Sequence, residues 1–114
     1  MHEVYYSHEF DRDFLKLKKR AEKGDGEAKH LLQLIGNATD ELSKDREAGK
    51  KVPRKLWPKE YVQKYGITNL WKYNLDPYWR LTYTLTGDAV KMYLIYLEYL
   101  PHPEYGRKFG YGKS

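Results

Sequence analysis

The sequence predicts an α+β fold in which an N-terminal strand and a two-helix hairpin pack on an antiparallel sheet. Three observations lead there. Apolar residues recur at helical spacing through the first half of the chain, and three β-rich runs separated by turn dipeptides fill most of the second half. Each helix carries one apolar stripe, which a helix pair cannot bury on its own and must lay on another surface. The 114 residues suit one domain spanning 1–114, since domains usually run to ~100–150 residues.

The first element is "EVYYS", a short β-rich run ending at Ser7, a good helix N-cap. From Glu9 the positions Phe10, Phe14, Leu17 and Ala21 form a helical stripe that stops at "KGDG". Asp25 caps a second helix, whose stripe Ala28, Leu31, Leu32, Ile35, Ala38 and Leu42 predicts a helix to about Ala48, with Gly49 as its stop. The stretch "GKKVPRKLWPKEYVQKYGITN" reads as a basic loop and a short helix: Pro58 suits the first helical position, Tyr61, Val62 and Tyr65 share a face, and Gly66 offers a C-cap.

Three strands follow, "NLWKYNL", "YWRLTYTL" and "AVKMYLIYLEYL", joined through "DP" and "GD" as a meander. A two-residue loop at Gly87 and Asp88 sets Thr86 opposite Ala89 and Arg80 opposite Ile95. Trp79, Leu81, Tyr83 and Leu85 then lie on the helix-covered face with Val90, Met92, Leu94 and Tyr96. Arg80, Thr82, Thr84, Lys91 and Tyr93 share an uncovered face. A three-residue loop at Asp76, Pro77 and Tyr78 puts Trp71, Tyr73 and Leu75 on the core face and Lys72 and Asn74 beside Arg80. The closing "LPHPEYGRKFGYGKS" is read as a rim segment with a frayed end at "GYGKS".

Charge separates the halves. Residues 1–49 hold 9 Lys and Arg against 11 Asp and Glu, whereas residues 50–114 hold 12 against 5, with all 3 tryptophans and 10 of the 12 tyrosines. Cations that neutralise phosphates beside rings that stack on bases suit a nucleic acid, although strands favour Tyr and Trp and surfaces favour lysine in any case. The absence of cysteine excludes disulfides and thiolate chemistry and is compatible with a reducing cytoplasm. No apolar run approaches the ~18 residues of a membrane span, and no leader pattern opens the chain. The four histidines lack ligand spacing, and the phosphate-loop, dinucleotide, nucleophile-elbow and zinc-protease motifs are absent, so neither metal nor cofactor is expected.

What remains is a cationic constellation. Arg80 is a charge in mid-strand, suited to an anion or to a carboxylate partner on an open face, and Lys72 and Lys91 share that ambiguity. Lys50, Lys51, Arg54, Lys55 and Lys59 form either a solvated loop or a patch that tracks phosphates. His102, held between Pro101 and Pro103, is either a surface residue or a proton-transfer group, and Tyr105 and Tyr111 could equally anchor the tail.

The element order, "YWRLTYTL" after "NLWKYNL", and the ending "YLPHPEYGRKFGY" resemble the RelE/ParE superfamily of small toxins from toxin-antitoxin pairs, in particular its archaeal RelE-like branch. The resemblance covers nearly the whole chain. It implies a RelE-like β-α-α-(short α)-β-β-β domain and a cytoplasmic toxin of a type II pair. The activity implied is that of a metal-independent mRNA endoribonuclease (mRNA interferase) acting on translating ribosomes, in which the 2′-hydroxyl attacks the adjacent phosphate. It assigns Arg80 to the phosphate, Lys72 to catalysis, His102 to acid or base work and Tyr105 to base stacking or proton sharing. Arg107 and Lys108 become secondary phosphate contacts. Asn74 stands where some relatives carry a second lysine. The implied partners are mRNA, the ribosome and a small acidic antitoxin encoded alongside. A ParE-like topoisomerase inhibitor and a catalytically inactive RelE-fold RNA-binding protein are the alternatives.

Overall fold

The computed structural model describes residues 3–88 and 90–110. Strand β1 (Glu3–Tyr6) leads into helices α1 (His8–Glu22) and α2 (Gly26–Lys44). A two-residue strand β2 (Lys50–Lys51), a 3-10 turn (Arg54–Leu56) and helix α3 (Lys59–Tyr65) follow. The chain then forms β3 (Trp71–Asn74), β4 (Trp79–Gly87), β5 (Met92–Pro101) and a terminal helix α4 (His102–Phe109). The five strands make one sheet in the order β1-β5-β4-β3-β2. The meander is antiparallel as expected, but β1 joins β5 in parallel, so the sheet is mixed.

Caps fall where the sequence places them: the Ser7 hydroxyl accepts from Phe10 N at 3.0 Å, and Asp25 accepts from Ala28 N at 3.1 Å. Helix α2 stops at Lys44 rather than Ala48, because Asp45 turns its carboxylate onto Glu47 N at 3.0 Å and offers the backbone an alternative to the helix. Gly49 therefore ends no helix. It lets the chain pass close to β3, since a Cβ there would press on the Lys72 carbonyl oxygen and come within 2.7 Å of the Tyr83 hydroxyl.

One face of the sheet meets α1 and α2 through Phe10, Leu17, Leu31, Ile35, Leu42, Leu81, Tyr83, Leu94 and Tyr96. The three-residue loop at Asp76–Tyr78 brings Trp71, Tyr73 and Leu75 to this face, in the predicted register. The expectation that the other face is open is overturned. Val52, Tyr61, Ile67, Leu70, Leu97, Leu100, Tyr105 and Phe109 form a second core there, under α3 and α4. Tyr105 and Phe109 are four residues apart, so both rings project from one side of α4 and stack at 4.2 Å.

The β4–β5 register also differs from the two-residue expectation. Gly87 pairs with Met92 and Thr86 with Tyr93, which leaves a four-residue loop. Asp88 holds it by accepting from Val90 N at 2.8 Å and Lys91 N at 2.9 Å, and Gly87 has φ +128°, a value that side chains other than hydrogen rarely allow. Val90, expected in the core, is 94 % exposed. The predicted partner Ala89 and residues 111–114 lie outside the described residues.

Further along, Tyr83 pairs with Tyr96 but Thr82 with Glu98, so Leu97 is an extra residue in β5. Leu97 and Glu98 consequently both face the second core, and Arg80 lies opposite Leu100. Glu98 takes a hydrogen bond from Tyr61 at 2.5 Å and the ammonium of Lys108 at 3.1 Å, with Glu60 3.4 Å from the same ammonium. Those contacts tie α3, α4 and β5 together. At the other end Asn69 donates to the Leu85 carbonyl at 2.8 Å and accepts from Leu85 N at 2.9 Å.

Gly49→Ala is expected to lower stability by about 1–3 kcal/mol, the usual cost of overpacking, measured by chemical denaturation. An unchanged midpoint would show that the approach of Gly49 to Lys72 and Tyr83 is looser than described.

Candidate active site

The site is built on the turn between β3 and β4. Asp76, ahead of Pro77, folds its carboxylate back to accept from Tyr78 N at 2.8 Å and Trp79 N at 2.6 Å. That fold aims three carbonyls inward, and Arg80 Nη1 donates to those of Asp76, Pro77 and Trp79 at 2.9, 3.1 and 3.3 Å. Arg80 is only 9 % exposed, so it does not project from an open face as its mid-strand position suggests.

The Arg80 Nη2 atom lies 3.1 Å from His102 Nδ1. A guanidinium has donors and no acceptor, so Nδ1 must accept and the ring proton sits on Nε2. The backbone reinforces the contact: His102 N donates to the Tyr78 carbonyl at 2.6 Å, which ties the first residue of α4 to the turn that holds Arg80. Arg80 Nε is buried with no hydrogen-bond partner among the described residues. An orphaned donor of this kind costs about 1–3 kcal/mol.

Lys72 enters from the neighbouring strand. Its ammonium lies 5.4 Å from the centre of the Tyr105 ring, and its strand position is opposite Thr82 on one side and Lys50 on the other. Burial holds its pKa below the usual 10.5, and the charges of Arg80 and Lys50 push it the same way. A cleft of about 220 Å³ opens here, lined by Glu41, Ala48, Gly49, Lys50, Lys72, Tyr73 and Asn74. A larger cleft of about 410 Å³, between the start of α1 and Tyr65, contains none of the expected site residues.

Arg80, His102, Lys72 and Tyr105 therefore gather at one end of the sheet, beside Lys50. Tyr105 is 1 % exposed and stacked on Phe109, which leaves no ring face for a nucleobase. Its contribution to the site is the surface beneath the Lys72 ammonium. Lys108 is taken up by Glu98 and Glu60, so it is no free phosphate contact, while Arg107 stays exposed on α4. Lys91 lies at the far end of the β4–β5 hairpin, bound to Glu3 at 2.7 Å. Lys51, Arg54 and Lys55 are exposed along β2 and the turn after it.

Sequence reasoning missed Asp76 and Tyr78, whose turn makes the cage for Arg80. The Asp-Pro pair was the available signal, because it is a turn former whose side chain bonds the backbone ahead of it. Tyr78 is 51 % exposed beside the site, with its ring edge-on to Trp79. Among the described residues no group of three or more His, Cys, Asp or Glu could hold a metal ion, and no helix is long and apolar enough to cross a membrane.

Comparison with known proteins adds a fold. No family model and no curated protein sequence matches the chain. Among solved structures it is similar to the YoeB/ParE toxin from Agrobacterium tumefaciens, with a TM-score of 0.57 and 14 % sequence identity over 88 % of this chain and 98 % of that one. The chain thus shares the α+β architecture of a YoeB/ParE toxin along almost the full length of both.

Proposed function

We propose that the protein is the toxin of a type II toxin-antitoxin pair and a metal-independent endoribonuclease that cleaves mRNA on translating ribosomes. The observation that carries this reading is the Arg80–His102 contact at 3.1 Å, beside a lysine whose pKa is depressed. The toxin fold supports the setting. In the reaction the 2′-oxygen attacks the adjacent phosphorus and loses its proton, the P–O5′ bond breaks, and the 5′-oxygen gains a proton. The products are a 2′,3′-cyclic phosphate and a 5′-hydroxyl.

Lys72, more readily neutral than an ordinary lysine, takes the 2′-proton. Arg80 stabilises charge on the phosphorane. The part played by His102 follows from its tautomer. While Nδ1 accepts from Arg80, the ring can offer Nε2–H as a donor but cannot hold a second proton at Nδ1. Loading it as an acid therefore releases Arg80 Nη2, which becomes available to the phosphate as the ring becomes able to protonate the leaving oxygen. A small acidic antitoxin that covers the basic end of the sheet would silence the site.

The commitment of Arg80 Nη1 to three turn carbonyls favours one competing reading, in which the arginine only shapes the turn and the protein inhibits a topoisomerase without cutting RNA. Expression of the wild type beside Arg80→Ala, with end-mapping of cellular mRNA in the presence of chelator, separates the two. Cleavage should fall about 100-fold or more in the variant, the scale on which losing one charge-stabilising donor acts. Intact mRNA with the wild type, together with inhibited gyrase supercoiling, would select the topoisomerase reading.

Because the Lys72 pKa is lowered, its base form grows in at a lower pH than that of a free lysine. Cleavage should rise with pH along a limb whose midpoint lies below 10.5. Lys72→Arg, which keeps the charge but cannot be deprotonated, should lose that limb. Lys72→Met, which has no base form at all, should abolish activity at every pH.

A further inference from the structure

A third cleft, of about 360 Å³, lies at the β2 edge of the sheet and is lined by Lys51, Val52, Pro53, Arg54, Trp57 and Thr68. Among the described residues no carboxylate lines it. Its Trp57 ring is fixed from two sides: the indole N–H donates to the Val52 carbonyl at 2.9 Å, and the Arg54 guanidinium lies 4.5 Å from the ring centre. A fixed indole layered with a guanidinium presents flat, cationic surface of the kind on which unpaired bases stack. Lys51 and Thr68 supply a cation and a hydroxyl at the margin. The volume suits one nucleotide rather than a duplex, falling at the small end of the ~300–1,000 Å³ range of ligand clefts.

The cleft is also aligned with the candidate active site. Arg80 on β4 is opposite Asn74 on β3, and two residues away on the same face Lys72 is opposite Lys50 on β2, next to Lys51. On that face a row of cations therefore crosses successive strands, about 4.8 Å apart, from Arg80 to Lys50, and the chain runs on from there through Val52, buried on the same side, to Arg54 and Trp57. Resting on the ribonuclease reading above, we infer that Trp57 and Arg54 form a separate nucleobase-stacking subsite that holds single-stranded RNA a few nucleotides from the scissile phosphate. Charge favours RNA as the occupant, and the fixed aromatic layer gives it a contact that an acidic peptide lacks.

The probe is an uncleavable 2′-O-methyl oligoribonucleotide of about eight nucleotides, within the size such grooves hold, carrying 5-iodouridine at successive positions. On irradiation the wild-type protein should form an adduct at Trp57, and Arg80→Ala should keep it. In fluorescence anisotropy Trp57→Leu should bind the octamer about tenfold more weakly, the scale of one lost stacked base, whereas Trp57→Phe should retain most of the affinity. Adducts only at other residues, or equal octamer affinity in the wild type and Trp57→Leu, would overturn the subsite. So would displacement of the octamer by a poly-glutamate peptide of equal charge as readily as by unlabelled RNA. Loss of cleavage in Arg80→Ala alongside any of these results leaves the ribonuclease reading standing and removes only the subsite. Failure of the octamer to bind, with mRNA left intact by the wild type, removes both.

Discussion

The extra residue at Leu97 is the constraint on which the far side of the molecule depends. Strand β5 must serve two hydrophobic cores, and a strand with strict alternation would send Leu97 and Tyr99 to one face and Glu98 and Leu100 to the other. By opposing Thr82 with Glu98 directly after Tyr83 with Tyr96, the bulge keeps Leu97 and Leu100 in the second core while Tyr99 turns back to bond α1 through the Asp13 carbonyl. It also delivers Glu98 to Tyr61 and Lys108, where one carboxylate ties two helices to the sheet. Without the shift Lys108 of α4 would keep Glu60 but lose Glu98, and the tie from α4 to β5 through that carboxylate would go with it.

The same economy explains why the cations around the site have separate fates. Lys108 and Lys91 have acidic partners that hold them in the charged form, whereas burial and its cationic neighbours weaken the proton affinity of Lys72. A structural cation is retained by making its charge comfortable. Lys72 differs from both in the direction of its shift.

Much of the fold could be read from the sequence because single side chains mark it. Ser7 and Asp25 begin helices, and hydrophobic matching sets the length of the Asp76–Tyr78 loop. The β4–β5 register was not legible, because Asp88 widens the Gly-Asp turn by bonding two later amides and no spacing rule foretells a bulge after the fifth pair. The second core was hidden for another reason. In "HPEYGRKF" the prolines and glycine read as loop, yet Pro101 and Pro103 sit where a helix start tolerates them, and Tyr105 and Phe109 keep helical spacing around Gly106. For the site, the nearness of Arg80, Lys72 and His102 to one another was legible, but burial was not, so Tyr105 and Lys108 were given solvent-facing roles that packing denies them.

Asn69, outside every strand, acts as a ruler for the site. Its amide bonds both the N–H and the C=O of Leu85, as a peptide unit of a neighbouring strand would, so β3 begins with its offset against β4 already set. Strands slip in steps of two residues when one face is buried, and one such step would carry Lys72 about 7 Å along the sheet, away from Arg80. A side chain outside the strands thus sets the alignment of two cations on neighbouring strands.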